Sequence, residues 1–172
     1  MKEYPVKLLV DHMLGKLAKY LRMLGFDAVY FTQPDLSLLI EKADQEKRII
    51  LSRNTKLKHI NGFSDFVFIN NDQPDKQLRE FLDYFKIHVS YDQLFTRCLR
   101  CNQKLVVANH EDIKGEVPSY VLETHKEFSF CPQCKKVYWA GTHLKEMKEI
   151  IGKVLGKNDR GNDLLPPDAE EF

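Results

Sequence analysis

The sequence predicts a doubly wound parallel α/β domain followed by a small cysteine-rich module. Two observations favour this fold class. Over about the first 90 residues, short apolar runs alternate with segments whose apolar residues repeat at helical spacing, which is the pattern of parallel strands joined by helices. All four cysteines lie beyond that region, in two Cys-x-x-Cys pairs. The chain is therefore expected to contain a second, different module.

The predicted strands are short apolar runs of the kind that a parallel sheet buries on both faces. They span residues 7–10, 28–31, 48–52 and 66–69. Amphipathic helices are predicted over 13–24, 35–46 and 75–85, with a helical turn over 55–60. After residue 88 the alternation stops, and we expect short strands at 105–107 and 120–122 and a helix over 146–155. The remainder is rich in Gly, Asn, Asp, Pro and Glu and is predicted to be a mobile tail.

The composition is that of an ordinary globular protein. Of the 172 residues, 43% are hydrophobic and 30% are charged, which suits a chain that buries a core. The Lys+Arg total of 26 against 25 Asp+Glu leaves a net charge of +1, which argues against a histone-like basic coat. No apolar run reaches the roughly 18–20 residues of a membrane span, and the start of the chain lacks the apolar stretch of a signal peptide. We therefore expect a cytoplasmic protein with no membrane partner and no organic cofactor.

Polar residues follow the predicted strands. Asp11 comes directly after the first strand, Asn54 follows the third and Asp72 follows the fourth, while Asp35 opens the second helix. Because ligands bind beyond the carboxyl ends of parallel strands, we expect these four side chains to lie toward one rim of the sheet. Their oxygen atoms suit Mg²⁺ or Mn²⁺, and a metal held there can activate a water and stabilise charge on a phosphodiester. The pattern favours a divalent-metal nuclease site.

Each rim residue also has a purely structural interpretation. Asp11, Asp35 and Asn54 all stand where a helix N-cap belongs, and Asp72 is equally typical of a turn. Arg53, beside the rim, suits a phosphate contact or a surface salt bridge. The combination of three strand ends, each with a carboxylate or an amide, is what favours the nuclease interpretation.

The two cysteine pairs indicate a metal site. Reduced cytosolic thiols at this spacing are more often metal ligands than disulfides, and four thiolates complete the tetrahedral shell of a structural Zn²⁺. The loop between the pairs has 29 residues, so it must itself fold into strands or a hairpin. The alternatives are a redox Cys-x-x-Cys or two unrelated pairs, although neither pair opens a helix after a strand. The predicted zinc ligands are Cys98, Cys101, Cys131 and Cys134.

Basic and aromatic residues surround these cysteines and are typical of surfaces that contact phosphates and stack bases of single-stranded nucleic acid. They are Arg97, Arg100, Lys135, Lys136, Tyr138, Trp139 and His143. Tyr138 and Trp139 have the alternative of packing beneath the small module. Lys16 and Lys19, on the outer side of the first helix, are candidate contacts to a nucleic-acid backbone, or simply part of a solvated helix face.

Several motifs together resemble one known family. The segment 10–27, VDHMLGKLAKYLRMLGFD, resembles the opening of the Mut-seven C-terminal RNase domain family, which has a PIN-like fold carrying a zinc ribbon. The resemblance continues through RIILSR at 48–53, CLRCN at 98–102, CPQC at 131–134 and VYWAGTH at 137–143. It covers most of the chain, from about Val6 to about Met147.

The resemblance implies a ribonuclease whose acidic residues bind Mg²⁺ or Mn²⁺. By position, Asp11 matches the family's acid after the first strand, Asp35 the acid opening the second helix and Asp72 the acid after the fourth strand. One position differs, because the family's Thr-Arg-Asp after the third strand is Ser52-Arg53-Asn54 here. Asn54 is a neutral oxygen donor, so it can still ligate a hard cation but contributes no charge.

These observations predict a PIN-like α/β domain over 1–96, a zinc ribbon over 97–143, a C-terminal helix over 144–156 and a disordered tail over 157–172. The predicted function is metal-dependent cleavage of single-stranded RNA. Lys16, Lys19, Arg53 and Arg100 are predicted to contact the substrate. A PIN-like adaptor that has lost catalysis is the alternative that Asn54 favours. A receiver-type phosphoacceptor fits less well, because this sequence lacks the paired acids that such domains have after the first strand. Receiver domains also do not carry a zinc ribbon.

Overall fold

Two structural units make up the chain, the first ending at Asn102 and the second beginning at Gln103. The computed structural model describes residues 4–60, 65–89, 91–139 and 142–155. The predicted tail over 157–172 and the side chain of His143 lie outside the described residues. Among those residues, we find no helix that combines the length and the apolar character needed to cross a bilayer.

A four-stranded parallel sheet organises the first unit. Its strands are β1 (Lys7–Val10), β2 (Asp27–Tyr30), β3 (Ile49–Ser52) and β4 (Phe66–Phe68), and they lie in the order β2-β1-β3-β4. Val10 pairs with Tyr30 on one side and Leu51 on the other. The carboxyl ends of these three strands therefore lie level along one edge, and the predicted α/β class with a parallel sheet is confirmed.

Three helices flank this sheet: α1 (Gly15–Met23), α2 (Leu36–Glu46) and α3 (Pro74–Phe85). Shorter 3₁₀ helices cover His12–Leu14, Thr55–His59 and Tyr91–Gln93. Each α-helix is amphipathic, and its apolar stripe is buried. Leu39 and Ala43 of α2 pack on Leu9 and Ile50 of the sheet, so the strands are held by side chains that water does not reach.

The second unit is a small antiparallel sheet with its own core. Strands β5 (Val106–Ala108), β6 (Phe128–Phe130) and β7 (Val137–Trp139) lie in that order. A 3₁₀ helix (His110–Ile113) and the helices α4 (Ser119–Thr124) and α5 (Thr142–Leu155) complete it. The ring of Trp139 packs against the buried cluster of this unit, which supports the structural interpretation of that residue.

The predicted strand over 120–122 is wrong, because Tyr120–Leu122 lies within α4. The three-residue apolar run is too short to show a period, and the outcome is decided by packing: Val121 is buried while Tyr120 is 65% exposed. The strand forms instead at Phe128–Phe130, where Phe, Ser and Phe alternate. Strands β6 and β7 have no counterpart in the sequence-based prediction, and α5 begins four residues before the predicted helix.

Candidate functional site at the sheet rim and the cysteine cluster

Asp11 is a buried acid at the end of the interior strand β1. Only 2% of the residue is exposed, and its main-chain N–H donates to the Leu51 carbonyl at 3.0 Å. One carboxylate oxygen accepts a hydrogen bond from Ser52 Oγ and the other contacts Nδ1 of His12. These contacts fix the carboxylate at the strand end.

His12 is a rim residue that sequence reasoning missed. Its side chain is 35% exposed and so extends the Asp11 environment toward solvent. The Tyr30 hydroxyl donates to the His12 carbonyl at 2.9 Å, which holds the main chain of His12 against the end of β2. The available signal was its position directly after a strand-end acid.

Asp35 and Asn54 both cap helices, as their structural interpretation predicted. The Asp35 carboxylate accepts from the Leu38 N–H at 3.0 Å, and the Asn54 side-chain oxygen accepts from the Lys56 N–H at 3.0 Å. The main-chain N–H of Asn54 also donates to Ser52 Oγ at 2.9 Å. Through Ser52, Asn54 is thus linked to Asp11.

The loop after β4 is held by Glu80, an acid that no sequence pattern singles out. Both side-chain oxygens of Glu80, on α3, accept hydrogen bonds: the N–H and amide of Asn70 lie at 2.9 and 2.6 Å, and those of Asn71 at 3.0 and 2.7 Å. Burial opposes the charge on Glu80, but these hydrogen bonds outweigh it and hold the pKa of Glu80 below its usual value. Exposed Asp72 follows directly on this anchored pair.

This lowered pKa predicts a pH-dependent contribution of Glu80 to stability. A carboxylate whose folded pKa lies below its unfolded value stabilises above about pH 4.3, the usual glutamate pKa, and loses that effect as the pH falls through the folded pKa. We expect Glu80→Gln to unfold at lower urea concentration than wild type at pH 6. The difference should shrink as the pH falls below about 4. Glu41→Gln, at an exposed position of α2, is the control, and a pH-independent difference for Glu80→Gln would contradict the assignment.

The predicted substrate cations differ in how they are held. The Arg53 guanidinium donates to the Asn71 carbonyl, which also accepts from Gln77 Nε2 at 3.0 Å. Arg53 thus joins β3 to the Asn70–Asp72 loop. The other predicted substrate contacts, Lys16, Lys19 and Arg100, are exposed.

A basic turn beside the rim was not singled out from the sequence. The 3₁₀ helix that Asn54 caps carries Lys56, Lys58 and His59, all exposed. The Lys58 ammonium lies 3.5 Å from the centroid of the Phe68 ring, a cation–π contact that places this charge beside the end of β4. The rim therefore has positive charge next to its acids.

The rim acids are not gathered into one compact ligand group. In the parts of the chain that the structure describes, the four cysteines are the only set of three or more Cys, His, Asp or Glu whose ligand atoms converge. Mg²⁺ is commonly held by one or two carboxylates together with waters and substrate phosphates. Binding of a hard cation at Asp11, and its sharing with Asp35 and Asp72, therefore stay predictions.

The cysteines do form a compact group. The sulfur atoms of Cys98, Cys101, Cys131 and Cys134 all lie within 4.8 Å of one another. Tetrahedral zinc with Zn–S bonds of about 2.3 Å requires sulfur atoms about 3.8 Å apart. All four residues are buried or half-buried, so the donor set fits a closed structural Zn²⁺ site.

Both cysteine pairs adopt the same turn. The residue after the second cysteine is left-handed in each, with φ of 70° at Asn102 and 62° at Lys135. Its N–H donates at 2.9 Å to the carbonyl of the first cysteine, Cys98 in one pair and Cys131 in the other. Each Cys-x-x-Cys pair with the residue after it therefore forms the same backbone turn, which we call the ligand turn.

Comparison with known proteins identifies the family. A family model described as Mut7-C RNAse domain matches residues 6–151, a span that contains the rim residues and all four cysteines. It is the family that the motifs resemble, and it indicates a nuclease-like function with binding of nucleic acid. No curated protein and no solved structure shows a significant match.

Proposed function

We propose, because this chain belongs to the Mut7-C RNAse domain family, that it hydrolyses phosphodiester bonds of single-stranded RNA with the help of Mg²⁺ or Mn²⁺. The observation that carries the proposal is the buried Asp11 carboxylate, which Ser52 and His12 contact at the end of an interior parallel strand. Burying an acid costs free energy unless it is bonded, and the end of a parallel strand is where ligands bind.

A bound divalent cation supplies an activated water and neutralises charge on the phosphodiester. The residues of the chain have separate roles. Asp11, with Asp35 and Asp72 as predicted partners, supplies anionic oxygen ligands, and Asn54 supplies a neutral oxygen. Ser52 holds the Asp11 carboxylate in one orientation, so little rearrangement is needed when a cation binds.

The cations around the rim are proposed to bind the RNA backbone. Lys16 and Lys19 are exposed on α1, and Lys56 is exposed on the turn that follows Asn54. Arg53 joins β3 to the Asn70–Asp72 loop and is proposed to steady the phosphate next to the acids. Arg100 is exposed beside Cys101 and is proposed to contact the strand away from the rim. Contacts of this kind make binding weaken steeply as salt concentration rises.

The test titrates Mn²⁺ into the purified protein and measures binding and cleavage of the same end-labelled single-stranded RNA. Metal-dependent cleavage, with binding that falls as salt rises, supports the proposal. A matched single-stranded DNA measures the preference for the 2′-hydroxyl. Binding of RNA without cleavage at any Mn²⁺ concentration selects the adaptor instead, the second candidate, which the neutral Asn54 favours.

Restoring the family's acid at position 54 is expected to strengthen catalysis. Aspartate caps helices as well as asparagine, so Asn54→Asp keeps the bond to Lys56 and adds a negative charge to the rim. Because affinity for hard cations rises with ligand charge, we expect half-maximal cleavage at a Mn²⁺ concentration lower by about tenfold. Asn109→Asp, at the cap of the 3₁₀ helix His110–Ile113, is the matched control. An unchanged Mn²⁺ requirement would exclude Asn54 from the metal site.

A further inference from the structure

The first cysteine pair is attached to the α/β unit through a buried arginine of α1. Arg22 is 6% exposed, and a buried guanidinium must find hydrogen-bond acceptors. Its Nε donates to the Ala28 carbonyl at 2.8 Å, and its Nη1 donates to the carbonyls of Leu99 and Arg100 at 2.9 and 3.1 Å. Leu99 and Arg100 are the two residues between the ligands Cys98 and Cys101. One side chain therefore joins the edge of the sheet to the interior of the ligand turn.

Asn102 makes a second link from the same turn. Its side-chain oxygen accepts from the Ala28 N–H at 3.0 Å, and its amide donates to Asp27 Oδ1 at 2.7 Å. Its own N–H closes the turn on the Cys98 carbonyl. Asparagine tolerates the left-handed backbone that this position requires, so one residue serves the turn and the sheet together.

These bonds occupy an open edge of the sheet. β2 is the terminal strand in the order β2-β1-β3-β4, and the edge of a sheet leaves main-chain groups without a neighbouring strand. The two main-chain groups of Ala28 bond to side chains instead: the carbonyl accepts from Arg22, and the N–H donates to Asn102. The ligand turn thus completes hydrogen bonds that a fifth strand would otherwise make.

The acid of this network is stabilised in its charged form. Burial raises the pKa of Asp27, but hydrogen bonds from Arg48 and Asn102 and the charges of Arg48 and Arg97 outweigh burial and hold the pKa below its usual value. Arg48 also donates to Glu46 at 2.6 Å. Asp27 therefore offers Asn102 a fixed anionic acceptor.

The second cysteine pair shows what the turn alone requires. Lys135 has the same backbone conformation and the same closing hydrogen bond as Asn102. Its ammonium instead lies 5.3 Å from the centroid of the Phe130 ring. The side chain of Asn102 is therefore not needed to form the turn, and its bonds to Asp27 and Ala28 are an additional feature of the first pair.

We propose that Arg22 and Asn102 are positioning residues that build the first half of the zinc site onto the β2 edge, so that zinc binding and the order of this edge are thermodynamically coupled. Such coupling is reciprocal: zinc protects the edge, and the intact edge strengthens zinc binding. The inference rests on the zinc site and is independent of nuclease activity.

The test uses the full-length, zinc-loaded chain and two readouts besides activity. Zinc affinity is measured by competition with a chromophoric chelator for Asn102→Gly and for the matched Lys135→Gly. Glycine suits both left-handed positions, so only the side-chain contacts differ. We expect Asn102→Gly to weaken zinc binding by about tenfold or more and Lys135→Gly to change it by less than about twofold. Arg22→Lys, which cannot reach three carbonyls, should behave as Asn102→Gly, with exposed Arg79→Lys as its control. Equal affinities for the two glycine variants would overturn the proposal.

Amide hydrogen exchange in the wild-type chain tests the coupling between zinc and the β2 edge without any substitution. The Ala28 N–H depends on Asn102, whereas the Phe31 N–H donates to Val10 within the sheet at 2.8 Å. After removal of zinc, we expect Ala28 exchange to accelerate by about tenfold or more relative to Phe31. An unchanged Ala28 rate, or an equal acceleration of both amides, would contradict local coupling at this edge.

Discussion

Replacing Asp11 by asparagine is expected to lower the rate of RNA cleavage by about a hundredfold or more. The change preserves the shape of the side chain but removes the negative charge that would hold a divalent cation. It also replaces one carboxylate oxygen by an amide nitrogen, which can only donate a hydrogen bond. That nitrogen then faces either the Ser52 hydroxyl, which donates to the carboxylate in the wild type, or His12 Nδ1. Initial cleavage rates of single-stranded RNA at several Mn²⁺ concentrations measure the effect.

The control for Asp11→Asn is Asp83→Asn, which neutralises an exposed acid of α3 that pairs with Arg79. It should cleave RNA at nearly the wild-type rate, since exposed ion pairs contribute little. Urea unfolding of both variants separates lost chemistry from lost folding. If folded Asp11→Asn protein cleaves as fast as wild type, the assignment of Asp11 to the active site is wrong, and a nuclease would have to act elsewhere on the chain.

The α/β unit could be predicted because apolar residues repeat with a different period in its strands than in its helices. Buried runs such as residues 8–10 have no polar face, and helices such as Pro74–Phe85 have one clear apolar stripe. The second unit has a less regular pattern. Its strands are only three residues long, which is too short for a period to be read, and the strand predicted at 120–122 forms a helix instead.

The site was predictable where spacing or topology determines it, and unpredictable where it depends on side-chain partners. Strand order brings the residue after each strand to one edge, and the Cys-x-x-Cys spacing anticipates the sulfur cluster. The bonds of Asp11 to its neighbours, and of Glu80 to Asn70 and Asn71 ten and nine residues earlier, depend on how helices pack. Nothing in the local sequence of a solvated helix face distinguishes Glu80 from an ordinary surface acid.

Loss of the zinc site is expected to unfold the second unit. The described part of this unit buries a cluster of six hydrophobic residues, and Ile151 and Val154 of α5 are buried as well. So small a core seldom sustains a fold alone. Structural zinc contributes about 10–16 kcal/mol to folding in small zinc domains, which matches the whole stability of an ordinary domain at about 5–15 kcal/mol. We expect Cys131→Ser to reduce zinc content from about one ion per chain to a small fraction, and the amides of β6 and β7 to lose protection.

The matched control for Cys131→Ser is Ser129→Ala, a change of similar size on β6 that leaves all four cysteines in place. It should keep both its zinc and its amide protection. The Phe31 amide should stay protected in Cys131→Ser, because it donates to the Val10 carbonyl at the end of β1 and the Phe31 side chain packs on a buried cluster of the α/β unit. A zinc-free chain that keeps β6 and β7 protected under reducing conditions would show that the hydrophobic cluster alone sustains this unit. In that case the four convergent thiols would need the redox explanation that their spacing also allows.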